Sequence, residues 1–445
     1  MLFLAFMICA EVGSAQQAKR AVVPIDPFAA IFDAFRSHAI VALGEGEHNN
    51  EPAHRFRLSL LRDPRFALTV NDIVVEFGSA RYQALMDRFI QGDNVSARDL
   101  RQAWLNTTQL SEVWDVSIYE EFFRSVRAVN ATLPEERRLR VLLGDPPVDW
   151  NSSVSIRTQT RELGTRDGFA AALVQREVLA KRRRALVIYG DMHFVRTPGG
   201  LYNIVERLED IGARIFTIDT AVGDVDLARL QPDILKWPEP SLALIRGTML
   251  ELAPFTSEIS SRTTKSLINV DTTNIYGLDG RFDALLYLGH PLTVTFARFS
   301  TELCADQDYI RMRSQRKGDT KWESSFKAAC KSPQSILPQL WRAYQAKGIA
   351  STLTMAPKSA GLYPEGAQEL YRFAQAVMKR GKFDDAIAIL ELNARIFPRD
   401  VLSLKALAEA YNAKGDRLGA IRSYQRTLAI NRNDQTARTA LGLNR

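Results

Sequence analysis

Residues 40–48 read IVALGEGEH, and this stretch decides the fold of the first part of the chain. Its apolar beginning is typical of a buried strand, and two glycines then break the pattern. Glu45, Glu47 and His48 lie at this break, and the segment that follows has apolar residues at helical spacing. Strand, turn and helix predict the first half of a βαβ unit. Polar groups at the carboxyl end of a parallel strand lie where ligands bind in open α/β sheets.

Further apolar runs follow at intervals along the chain, and segments with helical spacing separate them. These runs lack the polar alternation of half-exposed strands, as expected for strands that are buried on both faces. Their alternation with helices predicts an α/β domain with a doubly wound, mostly parallel sheet. The predicted strands are residues 73–78 (IVVEFG), 139–145 (LRVLLGD), 185–189 (ALVIY), 214–219 (RIFTID) and 282–288 (FDALLYL).

The C-terminal part changes to a 34-residue period. Gly381 and Gly415 are 415 − 381 = 34 residues apart, and Ala386 and Ala420 keep the same offset. A helix–turn–helix unit of this length, with glycine at the turn and alanine after it, is the signature of tetratricopeptide (TPR) repeats. We therefore predict an all-α TPR module at residues 361–445 that binds a protein partner.

The length of 445 residues predicts several domains. Residues 1–15 have the apolar run and small residues of a signal peptide, so we expect export to the periplasm or the cell exterior. Residues 24–300 form the predicted α/β domain, and residues 301–360 are a helical connector to the TPR module.

The composition excludes several classes of protein. A hydrophobic content of 46% and a charged content of 24% are those of a globular chain. The net charge of +7 comes with no basic patch interleaved with aromatic residues, so we expect no nucleic-acid partner. No stretch beyond the N-terminus approaches the ~18 apolar residues of a membrane span, so we expect no transmembrane segment.

Cys304 and Cys330 would remain after removal of the signal peptide. In an exported chain such a pair favours a disulfide, although two unpaired thiols remain an alternative. The pair lacks the Cys-x-x-Cys spacing of a zinc or redox motif.

Polar side chains follow four of the predicted strands. In a doubly wound sheet all of these strand ends lie at one rim, where burying several carboxylates and imidazoles is costly unless they pair or bind a ligand or metal. A small-molecule substrate is therefore expected there. The residues are Glu45 and His48, Glu76, Asp145, and Asp191 with His193.

Two kinds of chemistry fit this set. A histidine beside a carboxylate can act as a general base on water. Alternatively, His48 and His193 with Glu45 and Glu76 could hold a divalent metal and activate its water. His290 follows the last predicted strand and is a further rim candidate. The chain has no Gly-x-Ser-x-Gly elbow, which argues against a nucleophilic serine. An aromatic-rich segment at residues 104–130 either lines one side of the site or packs between helices of the core.

The motif series resembles that of the erythromycin esterase-like group. The matching residues are 44–48 (GEGEH), 74–76 (VVE), 166–167 (RD) before a helix, and 190–193 (GDMH). This group belongs with the ChaN-like haem-uptake proteins and the TraB/TIKI proteins in one broad superfamily. The resemblance covers residues 38–300 and implies the same α/β fold.

The resemblance also implies roles for the site residues. His48 would be the general base, Glu45 and Glu76 would orient it or stabilise charge, and His193 would lie on the opposite wall. Independently of the resemblance, we expect Asp145, Asp191, Arg166 and His290 to contact the substrate. The TIKI relatives imply a divalent metal at comparable turns. The chain has Asn49 after His48 where the esterases have His-Gly, so macrolide hydrolysis is not expected.

Three functions remain open from the sequence. The leading one is an exported hydrolase of an ester- or amide-type substrate with a TPR module for protein interaction. The second is a non-catalytic protein that binds haem or a small ligand. Its axial ligand would be a histidine or tyrosine at the rim, and Tyr189 and Tyr287 lie close to strand ends. The third is a TPR scaffold beside a degenerate α/β domain.

Overall fold

The computed structural model describes residues 19–196, 202–221, 234, 236–252, 278, 280–318 and 321–443. In this part of the chain a seven-stranded sheet has the order β3-β2-β4-β1-β5-β7-β6. All neighbouring strands are parallel except β6 and β7. The strands are β1 (Ile40–Gly44), β2 (Asp72–Ser79), β3 (Arg140–Asp145), β4 (Ala185–Tyr189), β5 (Ile215–Ala221), β6 (Ser241–Leu244) and β7 (Ala284–Tyr287).

The mostly parallel sheet and the six predicted strands are confirmed. β1 lies between β4 and β5, and all of its residues are buried because helices cover both faces of the sheet. β6 was not predicted. Its four residues are too short to show a period, and Pro240 precedes them directly.

Helices pack on both faces of the sheet and then continue alone toward the C-terminus. Successive residues of β1 point to opposite sides, so that Val41 and Leu43 join one hydrophobic core while Ile40 and Ala42 join another. The helices of the α/β part are α1 (Pro27–Ala34), α2 (Glu51–Arg62), α3 (Phe66–Thr69), α4 (Gln83–Gln91), α5 (Ala97–Leu105), α6 (Ser117–Asn130), α7 (Ile156–Glu162), α8 (Arg166–Val174) and α9 (Ile204–Glu209).

The sequence pattern predicts a helix from Arg166 to about Arg184 and a helix capped by Ser79, and the structure corrects both expectations. The helix expected to run from Arg166 to about Arg184 is α-helical only to Val174, and a π-helical turn (Gln175–Leu179) follows. The basic residues 181–184 then form the turn that leads into β4. Ser79 does not cap a helix, because it ends β2 and its hydroxyl donates to the carbonyl of Pro146 at 3.3 Å.

Most of the helices from Leu337 onward pack around a third core, whereas the helices at residues 301–331 join the core on one face of the sheet. Gly381 and Gly415 adopt the left-handed conformation that ends a helix (φ 70° and 89°), and Ala386 and Ala420 are buried where neighbouring helices approach closely. The helices are α10 (Thr301–Ala305), α11 (Gln307–Lys317), α12 (Trp322–Lys331), α13 (Leu337–Met355), α14 (Ala367–Met378), α15 (Phe383–Ile396), α16 (Val401–Lys414), α17 (Arg417–Ile430) and α18 (Gln435–Ala440).

Cys304 and Cys330 form a disulfide that joins α10 to α12. We expect Cys330→Ser to lower the free energy of unfolding by about 3–4 kcal/mol, because the bond closes a loop of 26 residues and so restricts the unfolded chain. Urea denaturation of the oxidised wild type and the variant measures this. A variant as stable as the wild type would contradict it, and reduced wild type should match the variant.

Two expectations lie outside the described residues. The first is the signal peptide at residues 1–15. The second is the loop predicted from the Ser and Thr content of residues 254–280, most of which are not described. Among the described helices, none is both long and apolar enough to cross a membrane.

Candidate functional site

The turn after β1 is held against the end of β5. Asp191 places a carboxylate oxygen 1.7 Å from where a Cβ on Gly44 would lie, so only glycine fits at that position. Gly46 has a φ of 66°, which favours glycine and lets the chain reverse after Glu45. The two glycines that break the strand pattern therefore bring Glu45 and His48 back over the end of the sheet.

Glu45 and His48 form a hydrogen-bonded pair. His48 Nδ1 donates to Glu45 Oε2 at 3.0 Å, and Arg57 Nη1 from α2 lies 3.0 Å from Glu45 Oε1. Glu45 and Arg57 are almost fully buried, whereas the His48 side chain is 30% exposed. Burial lowers the pKa of His48, but the hydrogen bond and charge of Glu45 together with the charge of Glu76 outweigh it and raise the pKa above 6.5.

Glu76 at the end of β2 is the second buried carboxylate. Its Oε1 accepts from Arg166 Nη2 at 2.7 Å and lies 3.3 Å from His193 Nε2, and its Oε2 accepts from the backbone N–H of Gly190 at 2.9 Å. Although burial opposes ionisation, the charges of His193 and Arg166 hold the pKa of Glu76 well below its usual value. Glu76 is therefore a fixed anion facing His48.

His193 differs from His48 because both of its ring nitrogens meet carboxylates. Nδ1 donates to Asp167 at the start of α8, and Nε2 faces Glu76. Burial lowers the pKa of His193, but the charge of Glu76 and the hydrogen bond to Asp167 raise it to about 10. The ring is consequently an imidazolium at neutral pH and cannot accept a proton there.

Asp145 anchors Arg166 from the end of β3. Its oxygens accept from the backbone N–H and the hydroxyl of Thr108, both at 2.6 Å, and Arg166 Nε donates to it at 3.2 Å. Burial raises the pKa of Asp145 to about 6. Because its oxygens are engaged, Asp145 orients Arg166.

Asp191 and Asp219 form a buried carboxyl pair beneath the turn. The two side chains hydrogen-bond to each other, and Asp191 Oδ1 also accepts from the backbone N–H of Thr220 at 3.1 Å. Burial raises the pKa of Asp191 to about 6, and burial beside Asp191 raises the pKa of Asp219 well above its usual value. This pair supports the turn that carries Glu45.

The aromatic-rich segment both walls the site and packs helices. The ring of Trp114 meets the His48 ring edge-on at 4.6 Å and thereby covers one of its sides. Tyr119 accepts from the backbone N–H of Asn49 at 3.3 Å through its hydroxyl. Phe122 and Phe123 instead pack on Phe77 in the core.

His290 does not join the cluster. Its ring stacks on Trp341 of α13 at 4.1 Å, and its Nδ1 accepts from the backbone N–H of Leu292 at 3.1 Å. Burial and then the charge of Arg380 lower the pKa of His290 to about 3. β7 is two strands away from β1 in the sheet, and the C-terminal helices pack over its end, so the polar residue after this strand has a packing role.

Several residues of the network were not predicted to have a role. Arg57 is the clearest case, and the sequence does contain a pattern that could have found it. Arg57 follows Ala53 at i, i+4 and so lies on the buried face of α2, where an arginine needs a buried acid as its partner. Asp167 lies in the RD pair at residues 166–167, but the sequence predicted no role for it. Thr108 gave no signal, since its loop is distant in sequence from Asp145.

The residues fit a divalent metal poorly. Glu45, His48 and Glu76 each offer one ligand atom within 4.8 Å of the others. However, Glu45 Oε2 accepts from His48, and Glu45 Oε1 forms an ion pair with Arg57 at 3.0 Å although it has no hydrogen-bond partner. Both oxygens of Glu76 are engaged by backbone or cationic donors. A metal ion would have to displace these donors and lie beside two guanidinium groups. The donor set is that of a network in which carboxylates and cations pair with each other.

The tyrosines considered as haem ligands are enclosed. Tyr189 and Tyr287 are 1% and 4% exposed, and the Tyr189 hydroxyl lies 1.9 Å from where a Cβ on Gly144 would be. Two cavities in the described part of the chain lie elsewhere, and neither is lined by Glu45, His48, Glu76 or His193.

No family model matches the chain, and no curated protein matches it. Among solved structures, it is similar to ChaN of Campylobacter jejuni, described with cofacial haem binding, at 14% identity and a TM-score of 0.30, over 46% of this chain and 89% of that chain. A Bacillus cereus protein matches at 12% identity and a TM-score of 0.40, over 63% of this chain and 97% of that chain. Likenesses at this level carry no argument about activity or ligand. The resemblance to the erythromycin esterase-like group stays a prediction.

Proposed function

We propose that the chain is a hydrolase in which His48 activates water to attack an ester- or amide-type substrate. One observation carries the proposal: His48 Nδ1 is bound to the buried Glu45, so the partly exposed ring keeps Nε2 as the nitrogen that can act on water. A histidine oriented by a carboxylate in this way is the arrangement of a general base.

The other residues orient His48 and Glu76 and stabilise the charge that forms on His48. Arg57 pairs with the buried Glu45 at 3.0 Å, and Glu45 fixes the tautomer of His48 and stabilises its protonated form. Glu76 faces the same ring and stabilises the imidazolium that forms when His48 takes the proton from water. Asp145, Arg166 and the Asp167–His193 pair hold Glu76 in place. No partner of His48 competes for its Nε2 in the described hydrogen-bond network.

A substrate panel tests the proposal. Purified protein is assayed with aryl and alkyl esters, lactones and small amides, with and without a chelator, and its absorbance spectrum is recorded. We expect hydrolysis of at least one ester or amide, with little effect of the chelator, because the carboxylates are already paired. Failure to hydrolyse any member, or a Soret band in the purified protein, would count against the proposal and favour the ligand-binding alternative.

The pH profile provides a further prediction. The base must be neutral to accept a proton, and the pKa of His48 is raised, so kcat/KM should rise with pH and reach half its maximum above pH 6.5. His193 should not produce a second rise near neutrality because its pKa is about 10. A profile that is flat between pH 5 and pH 9 would contradict the assignment of His48.

We also propose that the protein is exported and that α14 to α18 form TPR repeats that bind a protein partner. The disulfide supports export, because such bonds persist in oxidising compartments. The 34-residue offset, the left-handed glycines at the two turns and the buried alanines that follow them support the repeat assignment. Detection of the processed N-terminus in a periplasmic or extracellular fraction tests the first proposal.

A further inference from the structure

Two arginine-rich turns that are distant in sequence meet at the amino-terminal edge of the sheet. The first leads into β3 and contains Arg137, Arg138 and Arg140, and the second is the basic turn at residues 181–184. Asn71 joins them, because its carbonyl accepts from Arg140 N and its side-chain oxygen accepts from the N–H at position 184, both at 3.0 Å. This edge lies at the end of β2 opposite Glu76, so it is separate from the proposed active site.

A cavity of about 390 Å³ lies between these turns. Its size falls in the range of pockets that hold small molecules. Its lining is mainly polar, unlike that of a pocket for an apolar ligand. The side chains that matter for the argument are Asn71, Gln91, Arg137, Arg138, Arg140 and Arg183.

Two of the four arginines are already neutralised. Arg183 binds the buried Asp72 with both ends of its guanidinium, at 2.6 and 2.9 Å, and Arg140 Nη2 donates to Glu177 at 3.1 Å. These ion pairs fix the walls of the cavity. The remaining two arginines therefore decide what it can bind.

Arg137 and Arg138 retain free donor capacity. Arg138 Nη1 donates to Gln91 at 3.3 Å, while its buried Nε has no hydrogen-bond partner. A buried N–H without an acceptor costs about 1–3 kcal/mol, so an acceptor supplied by a ligand would recover that energy. Arg137 is exposed at the mouth, and no ion pair involves it in the described part of the chain.

Glu135 and Glu136 also line the cavity, and their charges oppose an anion. Both are exposed, so water and salt screen them more than they screen the half-buried Arg138. Arg137 and Arg138 equal these two carboxylates in number, so the excess of positive charge comes from Arg182 and Arg184 in the neighbouring basic turn. The planar guanidinium group favours carboxylates and phosphates, because two of their oxygens can accept parallel hydrogen bonds from it.

We propose that this cavity binds a small molecule that carries at least two negative charges as phosphate or carboxylate groups. Arg137 and Arg138 would be its main contacts, and Gln91 and Asn71 would add neutral donors. Isothermal titration calorimetry of the full chain at low ionic strength, with pyrophosphate and with citrate, tests the proposal. A preference for pyrophosphate indicates a phosphorylated ligand, and a preference for citrate indicates a polycarboxylate.

The test uses a matched pair of variants. Arg137→Gln/Arg138→Gln should weaken the preferred anion by at least about tenfold, as expected for loss of a charge-assisted hydrogen bond. Arg157→Gln/Arg161→Gln removes the same charge from α7, away from the cavity, and should change the affinity by less than about twofold. If the double variant does not fold, Arg137→Gln alone replaces it, because Arg137 is exposed.

Two results would overturn the proposal. One is the absence of saturable binding of either anion up to about 10 mM, where even weak sites are half filled. The other is an equal loss of affinity in the cavity variant and the α7 variant, which would mean that the net charge alone attracts anions. Hydrogen exchange supplies an independent check, since the bound anion should protect residues 137–140 and 181–184.

Discussion

Replacing His48 by glutamine is expected to lower kcat/KM by about 10²- to 10⁴-fold, the usual contribution of a general base. Glutamine retains an amide that can donate to Glu45, but it cannot take a proton from water. The side chain is 30% exposed and contacts Trp114 only at one edge, so the melting temperature should change little. The measurement is the rate of hydrolysis of the best substrate from the panel, with thermal unfolding recorded on the same samples.

The matched control is His38→Gln. His38 precedes β1 at the opposite end of the strand, where its Nδ1 lies 3.0 Å from the carbonyl of Ala34. This variant should keep full activity. If His48→Gln also keeps full activity while folding normally, His48 is not the base. If it loses activity only through unfolding, the two melting curves will show this.

The strands and the polar residues at their ends could be predicted because both depend on local patterns. An apolar run with glycines after it predicts a buried strand and its turn, and parallel strands bring their carboxyl ends to one rim. Glu45, His48, Glu76 and His193 were grouped on this basis, and the structure brings them together. Their chemical roles remain predictions until the variants are assayed.

The pairing of charges at the rim could not be predicted, because it depends on side chains that come from distant segments. The register between β2 and β3 shifts between Val75 and Ser79, at the position of Glu76, and no sequence pattern indicates this irregularity. The same limit explains His290. Its position after a strand resembles that of His193, but only the packing of α13 reveals that its ring is stacked on Trp341.

The local concentration of arginines at the amino-terminal edge of the sheet could not be predicted from the sequence. The arginines are spread along the chain, which favoured a generally basic surface over a specific patch. Residues 137–140 and 181–184 become neighbours only because β3 and β4 both pair with β2. A concentration of charge that arises from sheet order has no local signature.

The second large effect is expected from Arg166→Leu. Arg166 bridges Glu76 and Asp145, and its removal leaves two buried carboxylates without their shared cation. Removing one partner of a buried ion pair costs about 3–5 kcal/mol of unfolding free energy. Because the Arg166 side chain is 26% exposed, we expect a loss of about 3 kcal/mol. Urea denaturation followed by circular dichroism measures the loss. Arg161→Leu on α7 serves as the control and should be nearly neutral.

A second substitution separates charge from packing. Adding Asp145→Asn to Arg166→Leu removes one of the stranded charges, while the asparagine can still accept from Thr108. If electrostatics causes the loss, the double variant should be more stable than Arg166→Leu alone, and this coupling should be at least about 1 kcal/mol. If the double variant is no more stable, Arg166 acts by filling space. Hydrolysis should stay low in both variants, because Glu76 then lacks the cation that holds it opposite His48.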